Sequence, residues 1–225
     1  MKRHTINEMR KIIATAFGRP VGFPHVSQVV YPGDKVTVAA DAFTVSRPML
    51  LAGIVAEIVS VGLDANDLTV LMLEQERKMH EQALRDALTE DYRASIRVVA
   101  HNPKDPQCLA MLGVTKDDTP ILLNRVLVDA DVVIPVERYI TAPGMGYFGM
   151  QSVVYPRFAD AETQERFLFF EAKRNRKKLL AKYVAEVGEV AYCLGVTMTA
   201  QIMVDDQEDI TGIIFGDAKT IAMRF

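Results

Sequence analysis

The sequence predicts a layered, Rossmann-like α/β domain in which a mostly parallel sheet is flanked by helices. Two observations carry that expectation. Short runs rich in β-branched residues alternate with longer runs of helical apolar period, and such alternation implies parallel strands joined by crossover helices. One of the strand runs is apolar almost throughout, as a strand buried on both faces must be. No internal repeat or low-complexity linker breaks the pattern, so residues 1–225 are expected to form a single domain.

Taken in order, Lys35-Val36-Thr37-Val38-Ala39-Ala40 follows the turn Pro32-Gly33-Asp34 and reads as the first strand. Pro48 to Val61 carries Leu50, Leu51, Ile54, Val55, Ile58 and Val59 at helical period, and Gly62 stands where a helix stops. Asp67 to Leu73 is the apolar second strand. A charged helix over Lys78 to Leu88 and a third strand over Ser95 to Ala100 follow. Further strands are expected at Pro120–Leu123, Asp131–Val136, Met198–Val204 and Ile210–Phe215, with one long helix over residues 161–188 before the last two.

Composition excludes several function classes. A net charge of −3 gives no reason to expect a polyanionic partner. The one basic run, Lys173-Arg174-Asn175-Arg176-Lys177-Lys178, reads as the solvated face of a helix rather than a nucleic-acid patch. No apolar stretch approaches the roughly 18 residues of a membrane span, and the start MKRHTINEMRK has no signal core, so a cytoplasmic protein is expected. Cys108 and Cys193 are expected to be reduced thiols in apolar surroundings.

In sheets of this kind ligands bind beyond the carboxyl ends of the strands. Three loops are placed there. In the first, Asp41 to Pro48, Ser46 is expected to cap the following helix, with Pro48 in its first turn. Arg47 beside the free amides would then receive a carboxylate, with Asp41 close by. The second, Glu74 to His80, offers Glu76 as a general base and Arg77 as a second cation. The third, Ala142 to Gly149, carries Gly146 and Gly149, which permit close approach of backbone to a ligand. It lacks the spacing of a dinucleotide or P-loop motif. The four histidines, His4, His25, His80 and His101, form no HxH or HExxH pattern, and no metal site is expected. His101 is expected to brace a turn.

In their order along the chain, these segments resemble the N-terminal domain of the nickel-dependent lactate racemase family, from about Gly33 to Arg224. The resemblance rests on Asp34-Lys35-Val36-Thr37-Val38 through Ser46-Arg47-Pro48, on Leu68-Thr69-Val70-Leu71, and on His101-Asn102-Pro103 with Leu112-Gly113-Val114-Thr115. It continues through Thr119-Pro120-Ile121, Asn124-Arg125, Asp129 to Ile134, Gly146-Tyr147-Phe148-Gly149, Leu194-Gly195-Val196 and Gly216-Asp217. No single motif is specific; their order is.

The resemblance implies a two-domain isomerase that interconverts the enantiomers of a 2-hydroxy acid. It would use a nickel-pincer nucleotide tethered to a lysine, histidines that hold nickel or move protons, and an arginine that grips the carboxylate. This chain departs from that pattern. Glu76 stands for a proton-transferring histidine, Thr141-Ala142 for a Pro-His pair, Ser152 for the tethering lysine, and Leu168 for a nickel histidine. Arg47 is retained; the family's aspartate falls on Asp41 if two residues are inserted and otherwise on Thr44. The family's C-terminal domain is expected to be absent, and the cofactor is left open. The expected function is a racemase-like domain that binds a small carboxylate without nickel chemistry. The alternatives are an enzyme of altered chemistry using Glu76, or a non-catalytic assembly module pairing with a second domain or another copy.

Overall fold

The structure, a computed structural model, describes residues 6–140, 148–169 and 176–224. The elements in chain order are α1 (Ile6–Gly18), β1 (Val36–Ala40), α2 (Ala42–Val45), α3 (Pro48–Ser60), β2 (Leu68–Leu73), α4 (Glu74–Ala87), α5 (Glu90–Arg93) and β3 (Arg97–His101). They continue with β4 (Leu109–Val114), β5 (Pro120–Asn124), α6 (Arg125–Val128), β6 (Val132–Arg138), α7 (Ala161–Leu168), α8 (Arg176–Cys193), β7 (Met198–Val204), β8 (Ile210–Asp217) and α9 (Ala218–Ala222).

Six strands form one sheet in the order β3-β2-β1-β6-β7-β8, parallel except for the antiparallel β7–β8 edge. The expected mostly parallel sheet flanked by helices is therefore present. Side chains alternate across it. Val36, Val38, Ala40, Ile134 and Val136 face a core with α1, α3 and α4. Ala39, Leu71 and Val133 face the other way, onto Val153, Val154, Phe158 and Ala191. After β3 the chain returns to lay β6 beside β1, so the topological switch point lies between those two strands.

Several expectations need correction. Helix α4 starts at Glu74, because the Glu76 carboxylate accepts the free Leu73 amide and caps the first turn. Pro120–Asn124 is not in the main sheet but pairs with β4, a strand not anticipated, in a separate two-stranded hairpin. The long helix is two helices, α7 and α8; residues 170–175 between them lie outside the described residues, as does part of the basic run. Cys193 is exposed rather than in apolar surroundings.

Candidate functional site

The carboxyl ends of β1 and β6 are tied together by Asp41. One of its oxygens accepts the Thr44 amide at 2.8 Å and caps α2; the other accepts the Arg138 amide at 2.9 Å. Its own amide donates to the Val136 carbonyl at 3.1 Å. This clasp fixes the short α2 turn over the switch point, and α2 in turn carries Phe43 and delivers Arg47 to the start of α3.

Arg47 is the N-cap residue of α3, with Pro48 filling the first turn. Its guanidinium carbon lies over the Phe43 ring, 3.5 Å from the centroid, and the group donates to the Phe43 carbonyl and the Ser46 hydroxyl, each at 3.1 Å. The stack and the two bonds hold the fork in one orientation, which lowers the entropy lost on gripping an anion. Ser46 does not cap α3 as expected. It sits at the end of α2, where its hydroxyl donates to the Phe43 carbonyl at 2.8 Å. Thr44, the alternative position of the family's aspartate, is fully buried with a hydroxyl that has no partner.

A second guanidinium, from Arg138 at the end of β6, lies 5.4 Å from the centroid of the same Phe43 ring. Across both arginines lies the carboxylate of Glu208, from the β7–β8 turn. One oxygen is 2.7 Å from Arg138 Nη1, and the other is 3.9 Å from Arg47 Nη2. Chemically the arrangement can hold one carboxylate between two forks. It is an open surface site: the Arg47 side chain is 28 % exposed, and cavities of about 610 and 540 Å³ lie elsewhere, against α1.

Gly149 belongs to the opposite face of β6. Glu137, the neighbour of Arg138, points that way by strand alternation. Its buried carboxylate accepts the Gln151 amide at 2.6 Å, the Val153 amide at 3.3 Å and Gln201 Nε2 at 2.9 Å. Burial pushes its pKa up to about 7 despite these bonds. Gly149, at φ +110°, opens the turn that presents those amides. Ser152 closes it: its hydroxyl accepts the Phe148 amide and donates to the Gly149 carbonyl. Gly146 lies outside the described residues. The hydrogen bonds and ion pair of Arg47 go to Phe43, Ser46 and Glu208, and among the described residues none joins it to the 148–153 turn.

Glu76 is committed elsewhere. It is buried, it accepts the Leu73 amide at 2.9 Å, and both of its oxygens lie within 2.6 Å of Arg157 Nη2. Arg157 also donates to the Ala40 carbonyl at 3.2 Å, so the pair straps the start of α4 to the end of β1. Both carboxylate oxygens are thus engaged by protein donors. Arg77 is on the surface, 3.9 Å from Glu81 in an i,i+4 pair. His101 does not cap the turn that follows it, a role taken by the Asn102 side chain, which accepts the Lys104 amide at 3.1 Å. Buried, the His101 ring instead meets the Ala159 carbonyl at 2.9 Å and Asn124 Nδ2 at 3.1 Å, joining β3 to distant segments. Burial, with the nearby Arg157 charge, lowers its pKa to about 4.

Sequence reasoning missed Arg138, Phe43 and Glu208. The first could have been found, since Glu137-Arg138 is the pair of charged residues that ends an apolar strand run. Nothing in the sequence places Glu208, which arrives from 161 positions beyond Arg47.

Ser152 and Leu168 stand where the resemblance sets the family's cofactor lysine and nickel histidine. The cofactor's anchor needs an amine, and Ser152 offers a buried hydroxyl spent within its own turn. Nickel needs a donor atom, and Leu168 offers an exposed alkyl chain. Among the described residues no three His, Cys, Asp or Glu side chains converge as a metal site. No described helix is long and apolar enough to cross a membrane.

Comparison with known proteins bears on the fold and the family. The sequence profile of the lactate racemase N-terminal domain matches residues 2–167. The lactate racemase apoprotein of Thermoanaerobacterium thermosaccharolyticum superposes with a TM-score of 0.66 at 15% identity, over 96% of this chain and 54% of that one. A protein of Thermotoga maritima superposes with a TM-score of 0.62 at 13% identity, over 98% of this chain and 56% of that one. The chain thus spans about half the length of these two structures. No curated protein sequence matches.

Proposed function

Because the chain belongs to the lactate racemase N-terminal domain family, we propose that it binds a small carboxylate, of the 2-hydroxy acid class, through Arg47 and without nickel-pincer hydride transfer. The observation that carries this reading is the Arg47 guanidinium, stacked on Phe43 and braced by Ser46 at the carboxyl end of β1. A cation so oriented beside the switch point is where an α/β sheet binds an anion. The second half of the reading rests on donor chemistry: the serine and leucine set against the family's lysine and histidine can neither tether nor ligate. Use of Glu76 as a base is disfavoured by the Arg157 clamp.

Calorimetric titration of the full chain with D- and L-lactate at low ionic strength tests the first half. Binding is expected, weakened at least about tenfold in Arg47→Ala, the effect of losing a charge-assisted hydrogen bond. Absence of binding to a panel of 2-hydroxy acids would count against it. Metal analysis and intact mass after co-expression with pincer-synthesis proteins test the second half. Stoichiometric nickel with a covalent adduct would overturn it.

A further inference from the structure

On the reading that Arg47 receives a carboxylate, we infer that Arg138 is the second half of the clamp, and that Glu208 is a tethered occupant which a free carboxylate must displace. The two guanidiniums share one aromatic ring and meet one residue: Glu208 gives one carboxylate oxygen to Arg138 at 2.7 Å and turns the other toward Arg47 at 3.9 Å, while Arg47 Nη2 also donates to the Glu208 main-chain carbonyl at 3.4 Å. That spacing marks where a ligand's carboxylate goes and how it is turned, one oxygen toward each fork. The chain has supplied its own ligand analogue.

Two features fit Glu208 to exchange rather than to permanent closure. Its side chain is 60% exposed, and the Arg47 contact is long for an ion pair, so the carboxylate is held mainly by one arginine. It also stands at φ +60°, a backbone region that favours glycine. Asp205 holds the turn in that shape, its side chain accepting the amides of Gln207 and Asp209 at 2.9 Å each. The hairpin therefore keeps its form when the Glu208 side chain swings away. A glutamate at a position that favours glycine, aimed at two arginines, places a competitor over the clamp at high local concentration.

The test is lactate affinity of the full chain and of Glu208→Gln, Arg138→Ala and Arg47→Ala, with thermal unfolding of each as the folding control. Glu208→Gln removes the competing charge and leaves the turn in place. It is expected to bind lactate about twofold to fivefold more tightly, the range for releasing a partly exposed ion pair. Arg138→Ala is expected to bind about tenfold more weakly. Affinity in Glu208→Gln equal to or below that of the unaltered chain would overturn the tethered-occupant inference, while loss of binding in Arg47→Ala would leave the carboxylate site standing. Unchanged affinity in Arg138→Ala would remove the second fork alone. If neither the unaltered chain nor Glu208→Gln binds lactate, the carboxylate reading falls and this inference with it.

Discussion

Glu137 and Arg138 are neighbours whose side chains serve opposite faces of β6, and their chemistry differs accordingly. Arg138 reaches the surface. Glu137 is buried, and there burial makes ionisation unfavourable, so the folded protein holds a proton that the unfolded chain releases near pH 4.5. The sign follows directly. Between pH 4.5 and 7 the folded state binds more protons than the unfolded one, so this group's contribution to stability falls as pH rises through that window. Glu137→Gln keeps an acceptor for the Gln151 amide and removes the titration. Relative to the unaltered chain, the variant is expected to gain about 2 kcal/mol of unfolding free energy between pH 5 and pH 8. His101 titrates in the opposite sense, losing stability as pH falls from 6.5 toward 4, but it is common to both proteins and cancels in the difference. Denaturant unfolding at the two pH values measures this. A variant that tracks the unaltered chain at both would mean that Glu137 is ionised throughout.

At the scale of elements, the edge of the sheet shows how much rests on one glycine. The segment after α1 runs beside β8, where Val21 donates to the Phe215 carbonyl at 2.8 Å and accepts the Asp217 amide at 2.9 Å. A Cβ at Gly216 would lie 2.2 Å from the Val21 carbonyl oxygen, and the backbone there is at φ +150°. Gly216→Ala should therefore separate α1 from the edge and destabilise the chain by about 2–3 kcal/mol. Unchanged denaturant midpoints would refute that close approach. None of this was legible in the sequence, because pairing between residues 21 and 216 leaves no local pattern. Strands with an apolar or β-branched run were legible: β1, β2, β6 and β7 lie within two residues of the expected bounds. The register of Pro120–Asn124 was not, since an isolated apolar run does not say which sheet it joins. The same division holds at the site. Asp41 and Arg47 sit on a local turn whose residues announce it, whereas Arg138 and Glu208 reach the same place through long-range topology. Ser46 departs from the expected cap because only Ser46 and Arg47 separate α2 from α3, and the hydroxyl serves the helix behind it.

Across the whole molecule, two apolar cores sandwich the parallel sheet and leave polar groups to gather at the carboxyl ends of β1 and β6. Membership of the lactate racemase N-terminal domain family accounts for that frame. It does not dictate the chemistry, since sites vary on a shared fold. On one face of the switch point stands an arginine pair covered by a carboxylate; on the other, a buried glutamate organises a glycine-led turn. The clamp on the first face is the part that the proposed activity needs. It can be observed directly by following the arginine side-chain Nε–Hε signals and the Glu208 carboxyl carbon by NMR while lactate is added to the full chain. Saturable, parallel shifts of Arg47 and Arg138, with Glu208 moving toward the position of a free carboxylate, are expected. Lactate that shifts neither arginine, or that shifts residues on the Gly149 face while Glu208 stays bound, would contradict the carboxylate clamp.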